Sequence, residues 1–180
     1  MPFRQSVNFA RMLRAYNRFR SRAPRFIGTV AVKHFKQSWR RQAWLNDSGR
    51  RERWKPRQRR RGDRSRRGTL VKTGRLRRSI RITSVSSHQV RVGTSVHYAR
   101  IHNEGGRIRA TQSVDSHRRR AHTRLQRGKR VKVSETTVSA HSRRIDIDMP
   151  QRQFMGRSRF LERRITKNLE HRLHQIFKNA

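Results

Sequence analysis

Apolar residues recur at helical spacing from Phe3 through Phe9, Met12, Leu13, Tyr16 and Phe19, with Arg4, Arg11, Arg14, Arg18 and Arg20 between them. Positions three and four apart share one helix face, so this pattern predicts a helix opened by Asn8 or Ser6. Pro24 lacks a backbone donor and is expected to end that helix or divide it from a second one. The second helix carries Ile27, Val30, Ala31, Phe35, Trp39 and Ala43, and the breaker run Asn46-Asp47-Ser48-Gly49 should stop it. Its Phe35/Trp39 stripe reads as core or subunit contact rather than as a platform for stacked bases.

The period then changes. In Leu70–Gly106, Thr73 is placed to N-cap a short helical turn, with Gly74 just inside it and Leu76 and Ile80 on one side. Ile80, Ile82 and Val85 start a strand, Ser86-Ser87-His88 reads as a turn, and Val90, Val92 and Thr94 alternate as a second strand. Together they predict an antiparallel hairpin with one apolar face. Tyr98, Ile101 and His102 then mark a short helix stopped by Gly105-Gly106. Residues 107–132 read as a second loop or as the tip of a long hairpin, and Val131, Val133 and Val138 suggest short strand pieces. Ile145, Ile147 and Met149 alternate with Asp146 and Asp148, a half-buried strand expected to return to the central sheet and to end at Pro150. Leu161, Ile165, Leu169, Leu173 and Ile176 define a last amphipathic helix, capped by Ser158 and with Glu162 in its first turn.

These elements predict an α+β fold: N-terminal helices, a small antiparallel β-sheet with a long hairpin or loop insertion, and a C-terminal amphipathic helix packed on the sheet. The expected organisation is a helical segment over 1–45, an Arg-rich linker or arm over 46–69, and an α+β core over 70–180 with a basic insertion at about 107–144.

Composition changes the picture in one respect. Only 31% of the 180 residues are hydrophobic, and the net charge is +39. Part of the chain is therefore not core, and a strongly anionic partner is expected: nucleic acid first, an acidic protein surface second, anionic lipid third. The segment RRERWKPRQRRRGDRSRRG, 50–68, has Trp54 and Pro56 as its only obvious anchors. Alone it cannot bury enough apolar area to offset chain entropy. Because arginine's planar fork binds phosphate or carboxylate through two bonds, Arg57, Arg59, Arg60, Arg61, Arg64, Arg66 and Arg67 read as a binding arm that orders on its partner. Arg118, Arg119 and Arg120 form a second such cluster.

Candidate chemistry is sparse. There is no cysteine, so neither a disulfide nor a thiolate metal site is available. No long apolar run predicts a membrane helix. The basic, acid-free N-terminus also has the composition of a mitochondrial transit peptide, but its apolar pattern runs on past that segment. Asp146 and Asp148 share a strand face, but nearby Arg143 and Arg144 offer ion pairing as the simpler use. His97 with His102, and His171 with His174, lack a carboxylate to complete a metal shell. No phosphate-binding glycine loop or nucleophile elbow is present. No catalytic residue, metal or cofactor is expected.

Three blocks stand out in order: TGRLRRSI, then VRVGTSVHYARIHNEGG, then MPQRQFMG. They resemble the virion morphogenesis (tail completion) family of Mu-like tailed bacteriophages. The matching positions are Thr73, Gly74, Leu76, Ser79 and Ile80; Val92, Gly93, Thr94, Tyr98, Ala99, Ile101, His102 and Gly105; and Met149, Pro150, Arg152, Phe154 and Gly156. The basic stretch before Leu70 and the basic insertion between Gly106 and Met149 depart from the family pattern. The resemblance implies a structural virion protein at the head–tail neck or the head-proximal tail end, found in the host cytoplasm during assembly. It would work as one subunit of a ring of about six copies, contacting portal or adaptor proteins on one side and tail-tube proteins on the other. Genome DNA in the channel is a further candidate partner; a membrane is not. The alternative from charge and size alone is an arginine-rich nucleic-acid-binding protein such as a ribosomal protein.

Overall fold

The computed structural model describes residues 8–58 and 67–178 of the chain. The fold is α+β. It divides into two compact units, one of Met1–Gly105 with Pro150–Ala180 and one of Gly106–Met149.

The first unit opens with α1, Phe9–Arg41, capped by Asn8, whose Oδ1 accepts a 3.0 Å hydrogen bond from the Arg11 N–H. The two N-terminal helices expected around Pro24 are thus one helix with Pro24 inside it. The apolar stripe explains this. Phe19, Ala23, Phe26 and Val30 stay in phase across the proline, and a break would take Phe19 and Ala23 off the face that carries Phe26. Continuing through Pro24 costs about 3 kcal/mol in a lost bond and ring crowding, a cost set against that shared face. α1 ends at Gln42, which adopts a left-handed conformation (φ 50°).

Ala43–Leu45 is not the end of a helix but strand β1, paired antiparallel with β2, Arg51–Arg53. The breaker run is the turn between them: Asn46 Oδ1 accepts from Ser48 N, Ser48 Oγ and Arg50 N. All three β1 residues are buried, and so is Trp54 just past β2. The start of the arginine-rich stretch therefore belongs to the packed body.

Helix α2, Arg75–Ser79, leads into the predicted hairpin of β3, Arg81–Val85, and β4, Val90–Gly93, with a bulge between Ile82 and Ser84. Ser86 and Gln89 close its turn through backbone and hydroxyl hydrogen bonds. α1 lies against this hairpin at Gly28, where a Cβ would come 2.6 Å from Val90 Cγ2 and 2.8 Å from Ile82 Cδ1. Only the bare glycine allows that approach. The short helix α3, Ala99–Glu104, follows.

The second unit is a single ribbon. Its strands β5 (Gly106–Val114), β6 (His117–Arg119), β7 (His122–Gln126), β8 (Lys129–Val133), β9 (Thr136–Val138) and β10 (His141–Met149) pair two by two. Every pair from Gly106↔Met149 to Gln126↔Lys129 keeps one register, with no residue inserted on either arm. The three ladders are one antiparallel hairpin closed by Arg127 (φ 48°) and Gly128 (φ 81°), two positive φ values that match the right-handed strand twist. β10 was expected to join the central sheet. It pairs with β5 instead, because the tip turn fixes a register in which Ile145 and Ile147 stand across from Ala110 and Ile108.

Back in the first unit, α4, Arg159–Lys178, is capped as expected: Ser158 Oγ accepts from Leu161 N and donates to Leu45 O. It starts on β1 and continues along α1, with Phe160 stacked on His34 and the Arg172 guanidinium 4.0 Å above the Phe26 ring. The core lies between these helices and the short strands. Its centre is aromatic: Trp39 meets Phe154 at 4.8 Å and Trp54 at 5.5 Å, and Phe35 stacks on Trp44.

Candidate functional site

The motif blocks meet in the first unit. Leu76 and Ile80 are buried in the core, and Ser79 Oγ lies 2.6 Å from Thr94 Oγ1, tying the turn before β3 to the end of β4. Gly93 faces Arg81 in the ladder. Gly74 takes the cap position of α2 with φ 68°, while the Thr73 hydroxyl accepts from Arg75 N at 3.3 Å. The cap is thus shared, one residue later than expected from the sequence.

Pro150–Gly156 is irregular backbone and needs partners for its polar groups. α3 supplies most of them. Asn103 Oδ1 accepts from both Phe154 N and Met155 N at 3.0 Å, and His102 O accepts from Arg152 N at 2.8 Å. The post-β2 segment supplies others: Trp54 Nε1 donates to Gln153 O at 2.8 Å, and Lys55 O accepts from Arg152 Nε at 3.0 Å. Phe154, 1% exposed, is thereby driven against Trp39. Gly156 (φ 154°) closes the segment where a Cβ would strike Gln153 Nε2 at 2.5 Å. Gly105 ends α3, its N–H donating to Ile101 O.

Above this packed junction lies a concave basic pocket of about 570 Å³, floored by Tyr98 and His102 and walled by Thr73, Gly74 and four cations: Arg57, Arg67, Lys72 and Arg75. Among the described residues, no carboxylate lines it. Its wall is held from behind. Gln42 bonds Thr69 through both its side-chain oxygen and nitrogen, and Trp39 Nε1 donates to Leu70 O at 3.2 Å. His102 has a buried Nδ1 with no hydrogen-bond partner among the described residues. Burial, and secondarily the Arg152 charge, push its pKa below the usual imidazole value, so it stays neutral in neutral solution. Burial likewise lowers that of Arg152 from the ordinary arginine value. The pocket can hold an anionic group. Among the described residues, no group of three histidine, aspartate or glutamate side chains is placed to bind a metal.

A model of the phage virion morphogenesis family matches residues 7–174 of the 180. The chain belongs to that family. Searches of curated proteins and of solved structures return no match. Membership of the phage virion morphogenesis family gives the protein a role in building a bacteriophage virion. Among the described residues, no helix is long and apolar enough to cross a membrane.

Of the arginines singled out from the sequence, Arg57 and Arg67 flank the basic pocket. Arg59, Arg60, Arg61, Arg64 and Arg66 lie outside the described residues. Arg118, Arg119 and Arg120 belong to the ribbon unit, where Arg118 pairs with Glu135 at 2.5 Å. The Asp146/Asp148 pair is an ionic one, as its simpler reading had it, but with other partners. Asp146 accepts from Arg107 Nε and Nη2 at 2.5 Å, with Arg109 nearby, because register places β5 across from it; Arg143 turns to Gln112 instead. His97 and His102 each meet Tyr98 edge-on rather than each other. Sequence reasoning had Trp54 as an anchor of the arginine-rich segment but missed Asn103, Lys55 and Gln42. Asn103 had one signal, its place inside the family block beside His102; Gln42 and Lys55 had none.

Proposed function

We propose that this virion morphogenesis protein acts at the head–tail neck or the head-proximal end of the tail, as one subunit of a homo-oligomeric ring of about six copies. In this reading it completes the tail or connector so that heads and tails join, presenting one face to portal or adaptor proteins and the other to the tail tube. The observation that carries the reading is structural investment. The second and third family blocks are spent on locking Pro150–Gly156 between α3 and Trp54, and the first on tying α2 to the end of β4, which makes a rigid body rather than a reaction centre. The basic pocket and the arginine clusters at 57–67 and 118–120 are its contact surfaces, toward DNA in the channel or toward acidic neighbours.

The test is electron microscopy of lysates from a phage lacking this gene. DNA-filled heads beside separate tails are expected, and purified protein added back should restore joined particles. Normal joined particles in the mutant lysate would remove the neck reading. Sedimentation of the purified protein checks the ring, which should appear as a species several-fold heavier than the 21.6 kDa chain, alone or with tails.

A further inference from the structure

We infer that the distal half of the ribbon, His117–Val138, is a DNA-binding element that lies in the major groove of a duplex. The argument starts from how charge is distributed along and across it. At the base, one face is apolar, with Ile108, Ala110, Ile145 and Ile147, and the other is ionic and largely self-neutralised, with Arg107 and Arg109 against Asp146 and Asp148. Beyond His117 this division disappears. The unbroken register puts Arg118, Arg120, Arg124 and Lys129 on one face and Arg119, Arg130 and Lys132 on the other, with Arg127 in the turn. Glu135 is the one carboxylate among them, and it is paired with Arg118.

Cations on both faces discriminate between partners. A ribbon laid on a flat acidic protein surface has use for charge on one face only, and the other would be left repelling itself in solvent. A ribbon in a groove has phosphates along both walls. The major groove, about 12 Å wide, admits a two-stranded β-ribbon as it stands, whereas the minor groove, about 6 Å wide, would first have to be opened by bending or unstacking the duplex. Eleven residues per arm at about 3.3 Å each give about 36 Å, close to one turn of duplex. Every residue from Asp115 to Lys132 is exposed, Leu125 at 58% and Val131 at 37% among them, so the tip has no packing role of its own to serve. A two-stranded hairpin alone is marginal in water; a polyanion on both sides removes the self-repulsion that works against it. The inference rests on the reading of the arginine clusters as contact surfaces, but not on the neck location.

The experiment measures binding of the full chain to a duplex of about three helical turns as salt is varied. The quadruple variant Arg124→Thr, Lys129→Thr, Arg130→Thr, Lys132→Thr keeps strand-forming residues at each position. It is expected to make the log–log salt slope shallower by about three to four, since each phosphate contact contributes about 0.9. Arg143→Thr with Arg144→Thr, at the base, should change it by less than about one. In parallel, methylation of guanine N7 on the wild-type complex should be suppressed, because N7 faces the major groove. An unchanged slope in the quadruple variant overturns the inference, as does unprotected N7. Competition by polyglutamate matching that of the same charge of DNA would point to an acidic protein partner and overturn it too. None of these outcomes depends on heads and tails joining, so a failed neck assignment would show separately.

Discussion

The two units of this protein reach order by opposite means. In the first, Phe154, Ile80 and His34 are almost wholly removed from solvent, and backbone polar groups are bonded across large sequence distances, as between Trp54 and Gln153. In the ribbon, no residue from Gly106 to Met149 is buried. Its order comes from one backbone ladder, one tip turn and exposed ion pairs. Burial is worth about 25 cal/mol per Å² of apolar surface, while an exposed ion pair is worth about 0–1 kcal/mol. The first unit should therefore respond to side-chain truncation, and the second to register and charge.

The largest effect should come from Phe154→Ala. Removing a buried ring from the Trp39 contact should cost about 3–5 kcal/mol, enough to bring most domains near unfolding. Denaturant melts measure it, and a loss below about 1 kcal/mol would mean the Trp39–Phe154 centre is not the core. Next is a pH effect at His34. Burial first, then Arg41 and Arg164, lower its pKa from 6.5 to about 4. The fold thus holds the neutral ring. Its contribution is complete above about pH 6.5 and is lost as pH falls toward 4, by up to about 3 kcal/mol. His34→Phe, which keeps the stacking on Phe160, should flatten most of this slope; the lowered pKa of His102 has the same sign and leaves a remainder. Urea melts at pH 7.5 and 4.5 give the comparison.

Asn103→Ala should cost about 2–3 kcal/mol, since Phe154 N and Met155 N lose their shared acceptor. Gly28→Ala sets two terms against each other. Alanine favours helix by about 1 kcal/mol, but its methyl would overlap Val90 and Ile82, and overpacking costs about 1–3 kcal/mol. Net destabilisation is expected by thermal melting, and a gain would show that the β3–β4 hairpin yields easily. The smallest effect should be Asp146→Asn in the ribbon, below about 1 kcal/mol, with the core melt unchanged. A large shift there would erase the contrast between the units.

What the sequence disclosed follows the same division. α4, the β3–β4 hairpin and α3 were legible because each has a full period and its own stop signal, such as Gly105 after His102. The family blocks were legible as a family, though not as a clamp, since Asn103 bonds residues more than fifty positions away. Ala43-Trp44-Leu45 was misread because three consecutive buried residues carry no period, and a short apolar run fits a helix end as well as a strand. Pro24 was overruled by a stripe that stays in phase on both sides of it. The ribbon was half legible. Its base alternates visibly at Ile145 and Ile147, but its tip places arginine where a packed strand would show apolar residues, and Arg127 is an unusual choice for a left-handed turn position.

Gln42 carries a consequence of another kind. Its carbonyl accepts from Trp54 N at 2.8 Å while its side chain grips Thr69 on both backbone groups. One residue thus fastens the two ends of the arginine-rich segment to the same point of the body. A single peptide bond cut anywhere between residues 58 and 67 would not release either piece. The nicked chain would run as two fragments under denaturing conditions and as one particle under native ones. The entry and exit of the arginine-rich segment, Trp54 and Thr69, are therefore set by the body itself.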